Sequence, residues 1–210
     1  MSTGIIFSRR SRAITVDVIR GHFVTGNSHV NYYIDLNQAK DRLKMAKEIA
    51  SELAGSYTMV DIDTILCMDG TKMIGAFMAH TLSRHGIMMI NHREDINVIR
   101  PELNTRGHLI FRESNLDMIR DKNVLMLVSS VSTGLTVNSA MECLRYYGGN
   151  LAGICALFSI VPEIYGYAVN AVFTSEDIPD YRSYQSENCE MCAGKQKIDG
   201  VVNAFGFSRL

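Results

Sequence analysis

The chain has 210 residues, 47% of them hydrophobic and 20% charged, with 21 Lys and Arg against 22 Asp and Glu and a formal net charge of −1. That length buries a full core, and the near-neutral balance offers no basic field for nucleic acid, so a small ligand is the expected partner. Apolar runs stop well short of the ~20 residues that span a bilayer, and no signal-type apolar core opens the chain, which sets the expectation of a cytoplasmic protein without membrane contact. Five cysteines at irregular positions, Cys67, Cys143, Cys155, Cys189 and Cys192, suit reduced thiols better than a disulfide framework.

Residues 1–12 carry Arg9, Arg10 and Arg12 without periodicity and are expected to form an arm docked on the body or on a partner subunit. From Gln38 to Ala54 the apolar set Leu43, Ala46, Ile49, Ala50 and Leu53 recurs at helical spacing, with Gly55 placed as a C-cap, which predicts an amphipathic helix. Thr64–Met68 reads as a short buried strand, followed by the loop Asp69-Gly70-Thr71-Lys72, a helix from Met73 to His85 and a strand from Ile87 to Ile90: one βαβ unit. Residues 91–119, with Arg93, Arg100, Arg106 and Arg112, are irregular and suit a flap or hairpin. The turn Asp121-Lys122-Asn123 then leads into five consecutive apolar residues, Val124 to Val128, as expected of a strand covered on both faces. A small-residue loop, Ser129 to Gly134, precedes a helix over Thr136–Tyr147, the turn Gly148-Gly149 and a strand over Leu151–Ile160.

Two βαβ units imply an α/β fold: a mostly parallel twisted sheet flanked by helices, with a flap insertion. The chain reads as a single domain, 1–210, with an N-terminal arm (1–20), a flap (91–119) and a C-terminal tail (176–210). The tail ends in an apolar stretch, 201–207, too apolar for a disordered terminus. Ligands of such sheets bind at the carboxyl ends of strands. Loops 69–72 and 129–135 both leave such ends and so can share one site.

In the second loop, hydroxyls and backbone N–H groups converge at a helix start, where unpaired amides attract a phosphate-sized anion. On its own, Ser132-Thr133-Gly134-Leu135-Thr136 is equally a βα turn with a hydroxyl N-cap, and Asp69–Lys72 equally a loop with a solvated lysine. Cys189 and Cys192 have the spacing of half a zinc site, but a structural site needs four ligands. The same pair from a second subunit's tail could complete it. The plainer reading is two reduced cysteines without Zn2+.

Strand, loop with Thr133-Gly134, and helix running into Tyr147-Gly148-Gly149 together resemble the phosphoribosyl-diphosphate signature of the type I phosphoribosyltransferase family, in particular its orotate branch. Gly21-His22-Phe23, Ser28, His29 and Tyr33-Ile34-Asp35 look like that family's N-terminal substrate segment. Residues 67–75 occupy the place of its diphosphate loop, residues 91–112 that of its hood, and the Cys189–Cys192 pair is similar to the tails of some relatives. The resemblance implies transfer of phosphoribosyl from 5-phosphoribosyl diphosphate to a pyrimidine base, orotate, in pyrimidine nucleotide biosynthesis. Mg2+ would sit on the diphosphate, and a homodimer would bring each hood to the neighbouring site.

By position, the resemblance assigns the 5-phosphate to Ser132, Thr133, Gly134, Leu135 and Thr136, and the diphosphate to Asp69, Gly70, Thr71 and Lys72. It gives base contacts to His29 and Tyr33, and catalytic roles to Ser129, Ser130 and Arg93. The family has two adjacent acids where this chain has Ser129 and Ser130, and Glu94 stands where a lysine is usual. Hydrogen bonds to a charged group are about twice as strong as neutral ones, so the substitution removes stabilisation of a cationic ribose. The alternative is a non-catalytic protein that binds nucleotide or phosphoribosyl diphosphate.

Overall fold

The structure is a computed structural model and describes residues 2–83, 95–105, 108–203 and 206–210. The chain opens with an antiparallel set: β1 (Ser2–Phe7), β2 (Thr15–Val24) and β3 (His29–Asp35), with β2 paired to both of the others. Val16 and Val18 of β2 point inward in the alternation of a half-buried strand. A register shift between Arg20 and Phe23 then changes the phase, so that His22 and Phe23 are both buried. The N-terminal arm lies on the body: beyond β1, the Ser8 hydroxyl donates to the Val172 carbonyl at 2.7 Å, and Arg9 pairs with Glu176.

Where the apolar spacing predicts one helix over 38–54, there are two, α1 (Asn37–Asp41) and α2 (Leu43–Gly55). Arg42 between them is extended, at φ −95° and ψ 119°; its N–H ends α1 on the Gln38 carbonyl and its own carbonyl receives the Ala46 N–H of α2. The break frees Leu43 from the expected apolar stripe, leaving it exposed, and turns Lys40 inward, leaving it buried.

The central sheet follows. Its strands are β4 (Thr64–Cys67), β5 (Asn97–Ile99), β8 (Asn123–Val131), β9 (Asn150–Ser159), β10 (Glu163–Ile164) and β11 (Tyr167–Thr174), with the order β10-β11-β9-β8-β4-β5. All pairs are parallel except β10 with β11. Between β5 and β8 lie a two-residue hairpin, β6 (Glu102–Leu103) with β7 (Leu109–Ile110), and a 3-10 turn. The flap expected over 91–119 is therefore shorter than it reads, because residues 97–99 pair with β4 as an edge strand. The strand expected over 87–90 lies outside the described residues.

Helices α2 and α3 (Lys72–Ser83) pack with Ile65, Cys67, Leu125 and Leu127, whereas α4 (Leu135–Tyr146) packs with Leu66, Met126 and Val128. Each strand thus offers alternate side chains to two apolar layers, as the unbroken run Val124–Val128 requires. The second βαβ unit, β8-α4-β9, stands as predicted, but β8 extends through Ser129 and Ser130 to Val131 because those residues pair beside β9.

The C-terminal tail returns to the first sheet: β12 (Ser183–Tyr184) pairs with β3, the one-turn α5 (Glu190–Ala193) follows, and β13 (Gly200–Asn203) pairs with β2 and with β14 (Gly206–Arg209). The apolar end of the chain is thus a hairpin in the sheet.

Helix α3 approaches β4 through Gly75, where an added Cβ would overlap Cys67 Sγ and meet Val98 at 3.3 Å. Gly75→Ala is expected to lower stability by about 1–3 kcal/mol, the usual cost of overpacking a filled core, as a lower denaturant midpoint with an unchanged slope. An unchanged midpoint would show that α3 shifts without cost.

Candidate functional site

Numbered in chain order, the parallel strands of the central sheet run 2-1-3-4-5, with β4 as the first and β8 as the third. The strand order reverses between these two, so the connections leaving their carboxyl ends diverge and open a crevice, the usual ligand position in such sheets. Backbone and side chain fix the spacing of the two loops. Met68 N–H donates to the Leu127 carbonyl at 2.8 Å, and the buried Thr71 hydroxyl lies 2.7 Å from the Met68 carbonyl and 3.1 Å from that of Leu127. Thr71 is therefore the stitch between the loops, and its side chain does not reach the cleft. Asp69 and Gly70 turn the chain with φ of 51° and 81°, a left-handed pair that Asp and Gly tolerate best.

The cleft has a volume of about 270 Å3 and is lined by Lys40, Asp69, Ser129–Val137, Tyr33, the turn 25–28, and Asn203 and Gly206 of the tail hairpin. All five expected phosphate residues, Ser132, Thr133, Gly134, Leu135 and Thr136, lie on it. The N-cap of α4 is Gly134, at φ 77°, which offers no capping side chain; the Leu135 N–H makes a long bond of 3.5 Å to the Thr133 hydroxyl. A hydroxyl at the N-cap would have bonded the amides deeper in the first turn; with glycine there, that turn lines the cleft with the positive end of its dipole.

Among the described lining residues, Lys40 and Asp69 are the two that carry charge. The Lys40 amine donates to the Asp69 carbonyl at 3.0 Å. Burial lowers its pKa, partly offset by the carboxylates of Asp69, Asp41 and Asp35. Burial raises the Asp69 carboxyl, offset by a hydrogen bond from the Ser129 backbone and by Lys40. Lys40 is missed in the sequence because it sits with Lys44 and Lys47 on what reads as a polar helix face; only the break at Arg42 distinguishes it.

Ser129 is buried and Ser130 exposed, as neighbours in an extended strand point to opposite faces. They line one cleft without forming a side-by-side pair. Of the remaining expected diphosphate residues, Gly70 lies beside the Lys40 side chain, and Lys72 is exposed at the start of α3, away from the lining. Arg93 and Glu94 lie outside the described residues.

The two expected base contacts separate. Tyr33 lines the cleft and packs its ring on Phe207 and Phe23; its hydroxyl donates to Asp35 at 3.3 Å, and burial with the Asp35 carboxylate pushes its pKa up to about 12. His29 is not among the residues lining the cleft. Its Nδ1 lies 3.0 Å from His22 Nε2 and 3.4 Å from Cys192 Sγ, because it sits at the other end of the turn whose residues 25–28 form the cleft wall. The two thiols of the tail, read from sequence as lacking a second ligand pair, therefore meet two imidazoles of the same chain.

No family model and no curated protein matches this chain. Solved structures do. The orotate phosphoribosyltransferase of Mycobacterium tuberculosis H37Rv, solved with Fe(III) dicitrate, aligns over 77% of this chain and 91% of its own at a TM-score of 0.53 and 15% identity. The UMP synthase of Leishmania donovani aligns over 77% of this chain and 34% of its own, at a TM-score of 0.56 and 19% identity. The adenine phosphoribosyltransferase of Thermoanaerobacter pseudethanolicus aligns over 68% and 88%, at a TM-score of 0.51 and 14% identity. With its parallel sheet in the order 2-1-3-4-5 and its cleft where the strand order reverses, the chain has the fold of the type I phosphoribosyltransferases.

Proposed function

We propose that the cleft binds 5-phosphoribosyl diphosphate and that the chain transfers its phosphoribosyl group to a nitrogen of a pyrimidine base of the orotate class. The observation that carries this reading is the meeting of the glycine-capped start of α4, Lys40 and Asp69 in one cleft between the ends of β4 and β8. The amides and hydroxyls of 132–136 hold the 5-phosphate. Lys40 faces the diphosphate from α1, beside the loop 69–72. In the reaction the C1–O bond to diphosphate breaks and the leaving group keeps the electron pair. A ring nitrogen of the base then supplies the pair for the new bond to C1 and gives up its proton to the departing diphosphate. Positive charge on the sugar during this exchange falls near Asp69, the acid of the cleft, and Asp69 keeps a polarising role that neutral Ser129 and Ser130 cannot supply.

Magnesium suits this donor set when substrate phosphates provide most of its oxygens: Asp69 would be its protein ligand, and the ion would neutralise the leaving diphosphate. A homodimer in the cytoplasm, with Arg93 reaching the neighbouring cleft, completes the reading. Both readings share the cradle. A non-catalytic binder is favoured by one observation: among the described lining residues Asp69 is the single carboxyl, and burial raises its pKa.

Lys40→Met is expected to weaken binding of 5-phosphoribosyl diphosphate about tenfold to a hundredfold, the worth of one hydrogen bond to a charged group, as measured by calorimetry on folded protein. Affinity of the unmodified chain should fall as pH rises through the depressed Lys40 pKa, because the protonated amine is the binding form; Lys40→Arg should remove that dependence. Equal binding by Lys40→Met removes Lys40 from the site.

Turnover separates the two readings. Orotate should be consumed in the presence of magnesium and 5-phosphoribosyl diphosphate, and adenine should not; tight binding with no turnover of either base establishes the non-catalytic reading. Ser130→Asp is expected to raise kcat about tenfold or more, since each tenfold is ~1.4 kcal/mol of barrier. Ser129→Asp should not help, because it adds a carboxylate beside that of Asp69.

A further inference from the structure

On the far side of the β2–β3 turn from the cleft, four ligand-type side chains converge: His22, His29, Cys189 and Cys192, with all ligand atoms within 4.8 Å of one another. His22 Nε2 lies 3.0 Å from His29 Nδ1, 3.6 Å from Cys189 Sγ and 3.7 Å from Cys192 Sγ, and Cys192 Sγ lies 3.4 Å from His29 Nδ1. Zinc–nitrogen bonds of about 2.0–2.1 Å and zinc–sulfur bonds of about 2.3 Å, set at tetrahedral angles, give edges of roughly 3.3 Å between nitrogens and roughly 3.6 Å between nitrogen and sulfur. The three nitrogen–sulfur edges of 3.4, 3.6 and 3.7 Å match that geometry, and the nitrogen–nitrogen edge of 3.0 Å is slightly shorter. We propose that His22, His29, Cys189 and Cys192 bind one zinc ion as a closed structural Cys2His2 site.

Three further features support the assignment. The two thiols stand three residues apart, Cys189 as the N-cap of α5 and Cys192 within it, in the Cys-x-x-Cys arrangement of structural zinc sites. His22 turns its other ring nitrogen, Nδ1, to the Gln196 carbonyl at 3.0 Å. A proton on Nδ1 donates to that carbonyl and leaves Nε2 as the lone-pair nitrogen facing the cluster, the orienting contact typical of histidine ligands. Lastly, Cys189 is the one buried residue over 186–194, and neither α5 nor the 3-10 turn over Ser186–Asn188 before it buries any other. This segment has little apolar packing of its own, and small units short of core are commonly held by a metal. The site is a whole-chain clasp: two ligands come from the first hairpin and two from the tail, 160 residues later.

The site is independent of the proposed transfer chemistry, and its test needs no substrate. The full chain, made without a histidine tag, should carry one zinc per chain by elemental analysis. After chelation, Co2+ should give the strong visible bands of a tetrahedral site with sulfur ligands, and Zn2+ should abolish them. Cys192→Ser, at an exposed position, and His29→Ala should each weaken Zn2+ binding by on the order of a hundredfold or more, beyond the usual loss from an altered orienting contact. Chelation should lower the melting temperature of the unmodified chain and leave that of folded Cys192→Ser unchanged. Three results overturn the proposal: neither metal bound at one per chain, an undiminished tetrahedral cobalt spectrum in both variants, or a Cys189–Cys192 disulfide in protein kept under reducing conditions.

Discussion

The pairing of β4 with β8 is the constraint on which the rest of the site depends. Two strands that are neighbours in space but separated in sequence by a helix, an edge strand and the flap end side by side, and their loops must leave the same edge in different directions. Thr71 holds them in step. Its buried hydroxyl lies within hydrogen-bonding distance of two carbonyls, one at the end of each strand. Once that spacing is set, Asp69 is carried to the Ser129 backbone and the start of α4 is placed across from it. The cleft is a consequence of strand order rather than of any one ligand-binding residue.

Charge in the cleft follows from burial in the same way. Lys40 and Asp69 face each other in a region poor in water, so each disfavours its own charged form while favouring that of its neighbour. An incoming polyanion changes that balance by giving the amine a second counter-charge. Lys40 therefore gains more from a phosphate than a solvated lysine such as Lys72 would, because it is buried and already withdrawn from bulk water.

How much of this was legible in the sequence depended on whether local pattern or distant partners decided the structure. Val124–Val128 could be read as a doubly covered strand because five apolar residues in a row have few other uses, and the βαβ order followed from it. The antiparallel first sheet was harder. The register shift between Arg20 and Phe23 breaks the alternation begun by Val16 and Val18, and β1 shows no pattern because its outer side chains, Ile5 and Phe7, are exposed. The break at Arg42 has no proline or glycine to announce it, and with it went the inward turn of Lys40. The loop Ser132 to Thr136 could be located from the sequence, whereas the choice of Gly134 as N-cap of α4 is a matter of backbone geometry. His29 reads as a base contact because it stands beside a substrate-like segment, yet it is not among the residues lining the cleft and lies against His22 and Cys192, the latter far away in the chain.

That last displacement links the two ends of the protein to the site. The hairpin of β2 and β3 carries residues 25–28 on the cleft wall and His22 and His29 just to either side of it. The tail carries Cys189 and Cys192, and then Asn203 and Gly206 on the same wall. Between those tail positions Asp199 closes on the hairpin twice: its carboxylate accepts the His22 N–H at 2.8 Å, and its own N–H donates to the His22 carbonyl at 2.7 Å. His22 is thus fixed by backbone on one side and by its ring on the other. A clasp at this residue fixes the hairpin and the tail together, and the wall of the cleft they share inherits that rigidity even though none of the four clustered side chains touches the ligand space.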